Sequence, residues 1–219
     1  MTVRRRSPRG SGERLAGEII DAATELLIDA GDDSAVSIRS VATRVGVTPP
    51  SIYLHFADKQ ELLDAVWLRY FENIDGVLGA ACEGVDDPVD RLVRMGVAYV
   101  RFAVGAPALY RLLDGRAPRK GHSTKGDEVR AASAFGRLDE AVTRLVESGV
   151  FPRRDPAALV LELWAAAHGI ASLMICEPDL GWDDDLSHAE HLFAAVCRGM
   201  TATGSPRVCA PPTTRDGQE

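Results

Sequence analysis

Few groups of side chains among the 219 residues have the types and spacing that chemistry requires. His188 and His191 form an H-x-x-H pair beside Asp183, Asp184 and Asp185, a conceivable metal site. The same residues also read as the exposed polar start of a helix, and that is the expected reading. Cys82, Cys176, Cys197 and Cys209 show no C-x-x-C spacing, so neither a zinc site nor a disulfide framework is expected. They read as reduced thiols of a cytoplasmic protein. Serine, histidine and aspartate occur, but without a nucleophile elbow or a glycine-rich phosphate loop. No catalysis, cofactor or resident metal is expected. One feature of charge stands out: Arg4, Arg5, Arg6 and Arg9 lie in the first twelve residues with no acid among them, although the whole chain carries −7. One local basic surface suffices to grip a polyanion while the rest stays acidic. The arm reads either as a minor-groove or phosphate contact or as a solvated tail.

The segment from Ser37 to Phe56 carries the strongest pattern. Ser37 is a good N-cap, and Ile38, Val41, Ala42 and Val45 line one side of a short helix. Gly46 suits a tight turn with positive φ. Thr48 is the next N-cap candidate, and Pro49 and Pro50 fall in a first turn, where a missing N–H costs little. Two short helices must then meet steeply, with Ala42 allowing close approach and Val47 and Ile52 plugging the space between. Such a pair projects its second helix into a DNA major groove.

This segment closely resembles the TetR family of repressors. The Ile-Arg-x-Val-Ala opening, the Gly-Val-Thr turn, Ile-Tyr-x-His-Phe, and Asp-Lys-x-Glu-Leu-Leu at 58–63 carry the likeness over residues 13–63. The resemblance implies residue roles. Ser37 and Thr48 would bind phosphates, Tyr53 and His55 would face the phosphate backbone, and Lys59 would reach another phosphate. Pro49, Pro50 and Ser51 would sit nearest base edges, with Arg39 and Arg44 as secondary contacts. Two adjacent prolines depart from the family, which often has lysine, arginine or glycine at one of these places. Proline donates no hydrogen bond, but it can touch a thymine methyl. Tyr53 is expected to contact DNA, since phenol hydroxyls commonly position phosphate oxygens. Phe56 is expected to be core.

Beyond residue 65 no DNA motif occurs. Trp164-x-x-x-His168-Gly169 looks like a C-terminal subtype found in part of this family. Trp164 and His168, four apart, share a helix face. His168 reads either as a buried histidine bonded to a carbonyl, the preferred reading, or as a ligand contact. Trp67, Tyr70, Phe71, Tyr99, Phe102, Tyr110, Phe135, Trp164 and His168 are the candidates to border a pocket for a small-molecule effector. An aromatic stripe is more often plain core. The resemblance further implies a homodimer through a four-helix bundle made by residues 157–176 and 186–200 of two copies, bound to a double-stranded palindromic operator.

These parts need an all-α frame of about nine helices. Periodic apolar residues, N-caps and Asp-Pro starts place helices at 13–30, 38–45, 48–55, 58–82, 87–104, 107–113, 127–148, 155–176 and 185–201. Gly31 is expected to stop the first and Gly149 the seventh. Residues 115–126 read as a polar loop. The expected division is a flexible arm at 1–12, a helix-turn-helix domain at 13–60, a helical effector and dimerisation domain at 61–203, and a disordered tail at 204–219. Apolar residues make up 46%, enough for a sizeable core. No uninterrupted run of eighteen apolar residues occurs, so no membrane span is expected. No signal core follows the basic N-terminus.

Overall fold

The structure, a computed structural model, describes residues 11–30, 36–114, 134–183 and 185–201. The first arginines, the Gly31 stop, the 115–126 loop, the start of the seventh helix and the tail lie outside the described residues. Those described form nine helices and no strand. They are α1 Ser11–Ala30, α2 Ile38–Val45, α3 Pro49–Tyr53, α4 Lys59–Ala81, α5 Pro88–Gly105, α6 Pro107–Asp114, α7 Ala134–Glu147, α8 Pro156–Cys176 and α9 Ser187–Gly199.

The helix starts follow local chemistry. Asp58, Asp87 and Asp155 each accept a backbone N–H of the following first turn, and Pro88 and Pro156 occupy that turn without loss of a bond. Helix bounds differ from the sequence expectation at several places, of which two have a clear local account. α1 begins two residues earlier, at Ser11. α3 ends at Tyr53 rather than His55, because the N–H groups of His55 and Phe56 both turn back to the Ile52 carbonyl. α9 begins at Ser187 rather than Asp185, because Leu186 adopts φ 65°, which helix cannot continue.

Two apolar clusters result. The first joins α1, α2, α3 and the start of α4 through Ile19, Ala23, Val41, Ile52, Phe56, Leu62 and Val66. The second, larger one takes Tyr70, Ile74 and Leu78 from α4 and packs them with α5, α7, α8 and α9. Thus α4 runs unbroken through both. α6 packs on α5 and also on α1, so it too bridges the two clusters.

α8 is the most apolar of the described helices. An 18-residue window of it reaches a mean hydropathy of 1.7, long and apolar enough to cross a membrane by length and composition. His168, Gly169 and Ser172 break the run but do not lower the average enough. In this fold α8 is a core helix: Leu159, Leu163, Ala167, Ile170 and Ala171 are buried, and α5, α7 and α9 pack against it.

Candidate nucleic-acid interface and internal cavity

The α2–turn–α3 unit is built by caps. Ser37 Oγ accepts the Ser40 N–H at 3.0 Å while Ser40 Oγ accepts the Ser37 N–H at 2.9 Å, a reciprocal box that fixes where α2 starts. Gly46 takes φ 76°, and its N–H and that of Val47 return to the Ala42 carbonyl. Val41, Ala42 and Ile52 are fully buried beneath the turn, and Val47 is partly buried. This packing leaves one end and side of α3 outward. Pro50 is exposed and Pro49 and Ser51 half-exposed. Thr48 stands at the N-cap position, but its side chain makes no cap; Thr48 Oγ1 meets Ser51 Oγ at 3.0 Å instead. Tyr53 is 55% exposed and Leu54 84% exposed, whereas Phe56 is buried as core.

The other expected contacts are placed unequally. Ser37 and Arg39 are exposed at the start of α2. Lys59 opens α4, next to the Asp58 cap on the Glu61 N–H at 2.9 Å. His55 is half-buried: a Cβ added at Gly12 would lie 3.8 Å from its ring, so the imidazole faces the first turn of α1. Arg44 differs most. Its guanidinium reaches Asp29 at 2.8 Å and Glu25 at 3.2 Å on α1, and those bonds hold its pKa above the usual value. It therefore clamps α2 to α1, and a DNA contact would have to compete with two carboxylates. Sequence reasoning missed Leu54, whose signal was a leucine on the polar side of Ile52 and Phe56.

The second cluster leaves a partly open cavity of about 300 Å³ among α4, α5, α7, α8 and α9, with the exposed Leu161 on its rim. Of the expected pocket residues, Tyr70, Phe71, Tyr99, Phe135 and Trp164 line it; Trp67, Phe102, Tyr110 and His168 do not. Trp67 stacks on Phe71 and Phe102 on Tyr70, so both are packing partners of the wall. His168 sits behind the wall. Its Nδ1 lies 3.2 Å from the Tyr99 hydroxyl and 3.3 Å from that of Tyr110, and its ring lies 5.0 Å from Trp164 between centroids. Two phenols are thus among its partners, and Tyr110 spans the ring and the His168 carbonyl, at 3.4 Å. Beside Tyr110, Arg111 donates to the Ile175 carbonyl at 2.8 Å, so α6 is bolted to α8 at two points.

The wall also holds residues that no aromatic pattern signals. Gly96 lets the Phe193 ring of α9 lie against α5: a Cβ there would fall 2.1 Å from Phe193 Cε1. Near the α9 start, His188 Nδ1 meets Asp183 Oδ2 and His191 Nδ1 lies 3.2 Å from the Ser187 carbonyl. Among the described residues no group of three or more possible metal ligands comes together.

Residues 19–66 match the bacterial regulatory proteins of the tetR family, and residues 92–200 match the tetracyclin repressor-like C-terminal domain. The chain belongs to the TetR family. It is a transcriptional regulator with a helix-turn-helix DNA-binding unit. The HTH-type transcriptional activator FasR of Mycolicibacterium smegmatis is 31% identical over 109 residues, which cover 50% of this chain and 49% of FasR. The aligned segment thus spans about half the length of that relative. TetR-like folds superpose over more of the chain. A protein of unknown function from Rhodococcus sp. RHA1 reaches a TM-score of 0.72 at 26% identity, covering 85% of this chain and 95% of its own. FadR of Bacillus subtilis, solved with stearoyl-CoA, reaches 0.67 at 14% identity, covering 84% and 98%.

Proposed function

We propose that this TetR-family chain is a cytoplasmic, non-enzymatic, ligand-responsive repressor that acts as a homodimer on a palindromic operator. In this reading residues 13–60 read DNA, residues 61–203 sense and dimerise, and Trp164, His168 and Gly169 mark the Trp-His-Gly subtype. The observation that carries it is the exposed end of α3 on a well-packed head. Tyr53, Ser37, Thr48, His55 and Lys59 position phosphates, and Pro49, Pro50 and Ser51 approach base edges. Arg39 adds a charge; Arg44 is the weakest of these contacts because α1 already holds it.

Dimerisation is supported by an apolar strip outside the core. Leu161, Ala165 and Leu173 of α8 and Leu192 of α9 are exposed on the two helices that the family's bundle would use. A dimer would set two α3 helices about 34–36 Å apart, one DNA turn. An effector in the cavity would tilt α4, which enters both clusters, and change that spacing. Coupling of roughly 1–3 kcal/mol would release one half-site. FasR, an activator, favours a second reading in which the same dimer recruits rather than blocks; polarity then follows from operator position.

The test is a gel shift and footprint on DNA upstream of the coding region, across a salt series. A protected palindrome whose affinity falls steeply with salt is expected. If selection from random sequence also yields no preferred site, the reading fails. Reporter transcription with and without the protein separates repressor from activator.

A further inference from the structure

Among the described residues fifteen line the cavity, and none of these is charged. The hydrogen-bonding groups on the wall are the hydroxyls of Tyr70 and Tyr99 and the indole of Trp164; the other lining residues, among them Leu78, Leu92, Met95 and Phe193, are apolar. An ionised group drawn in among these side chains gives up hydration and meets no opposite charge on them, a cost that hydrophobic contact does not return. A neighbouring hollow, which shares Met95 with the cavity, is lined by Arg91, Arg137 and Arg144 together with Glu83, Asp86 and Glu140. There Arg137 is committed to Asp75 by two bonds of 2.9 Å. That hollow therefore supplies no surplus positive charge for an anionic end.

Orientation follows from α5. Leu92, Met95, Gly96 and Tyr99 line the cavity from successive turns of that helix, so the Tyr99 position lies about 10 Å along the axis from Leu92. The Tyr99 hydroxyl is bonded outward, to His168, which Tyr110 of α6 also meets. A phenol has one donor and two acceptor positions, so it can take a ligand group while staying in that chain.

Resting on the effector reading above, we propose that the cavity binds an uncharged, largely apolar small molecule. It carries one hydroxyl or carbonyl, which Tyr99 binds, with its aliphatic part laid toward Leu92 and Phe193. The ligand's polar end then touches the hydrogen-bond chain that fixes α6, the helix that also packs on α1 of the DNA-binding head.

The test is calorimetric titration of the full chain at neutral pH with 1-octanol, 2-octanone, octanoate and 1-chlorooctane. The alcohol and ketone are expected to bind saturably, and ionised octanoate at least ~100-fold more weakly. Y99F should weaken the alcohol and ketone roughly 5–10-fold, the loss of one hydrogen bond, and leave 1-chlorooctane unchanged. L138F adds bulk at a half-exposed wall position and should weaken all three neutral probes; A167M, filling the wall from α8, serves if L138F melts early. Octanoate binding within tenfold of octanol, equal effects of Y99F on octanol and chlorooctane, or no saturable binding by any neutral probe would each overturn the proposal. A parallel operator gel shift keeps the two readings apart. Octanol that binds without releasing DNA sinks effector release and leaves the cavity chemistry standing. Release by octanoate alone sinks the cavity chemistry and leaves the regulator standing.

Discussion

Tyr53 and Asp75 show how much a single side chain can be asked to do. Tyr53 presents its ring at 55% exposure on the outward side of α3, where a phenol can donate to a phosphate oxygen. Tyr53→Phe should weaken every DNA sequence by a similar factor, about tenfold for a hydrogen bond to a charged acceptor. A changed base preference in a selection experiment would refute the phosphate assignment. Asp75 receives two bonds from Arg137, which hold its carboxyl below the usual 3.8. A carboxylate whose folded pKa is depressed stabilises the fold above its unfolded value, and that contribution is lost as pH falls through the folded one. The pair is partly exposed, so Asp75→Asn should cost about 1 kcal/mol or less at neutral pH. The gap in melting temperature from wild type should stay level through neutral pH and close only below 3.8; a gap that persists in acid would deny the pair its role. Neither ion pair partner was legible in the sequence, because Asp75 and Arg137 lie 62 residues apart on helices whose crossing no local pattern encodes. Tyr53 was legible because its neighbours Ile52 and Phe56, by apolarity alone, had to face inward.

At the scale of the element, the turn between α2 and α3 is the most sequence-determined part of the chain. Gly46 has φ 76° with open space around its missing Cβ, so a substitution there is penalised by backbone conformation alone. Gly46→Ala should cost roughly 1–2 kcal/mol, and Gly46→Asn much less, because asparagine tolerates the left-handed region. Equal denaturation midpoints for the two variants would show that something other than φ is at stake. Gly96 is the opposite case. Its φ is ordinary, and what requires glycine is the Phe193 ring pressed on α5. Gly96→Ala should cost at least about 1–3 kcal/mol by overpacking, and Phe193→Leu should partly rescue it, a coupling that chemical denaturation of the double mutant reads directly. This contrast explains where sequence reading worked. A glycine that ends a helix announces itself by position, and the Asp-Pro starts of α5 and α8 do the same. A glycine that receives a ring from α9, nearly a hundred residues on, leaves no local mark. The same limit put Trp67 and Phe102 in the expected pocket: the aromatic stripe showed which residues gather, but not which of them turn into the empty space.

For the whole molecule, the question is whether one chain suffices. Its described surface leaves Leu173 of α8 about half exposed and Leu192 of α9 likewise, on the two helices that close the second cluster. Large apolar side chains scattered singly need no explanation, but two on adjacent helices beside Leu161 and Ala165 form a strip a second copy could cover. A charge placed in that strip costs the monomer nothing, since water reaches it, and costs the dimer the desolvation of an unpaired carboxylate. Leu173→Glu combined with Leu192→Glu should therefore leave the melting transition of the monomer intact while sedimentation shows the loss of the dimer. Operator affinity should then fall by at least ~100-fold, because each half-site must be bound alone, whereas contact with a single half-site should persist at the weak level of the head. If the double variant stays dimeric, the strip is not the interface, and the spacing of the two recognition helices has to be set by another surface.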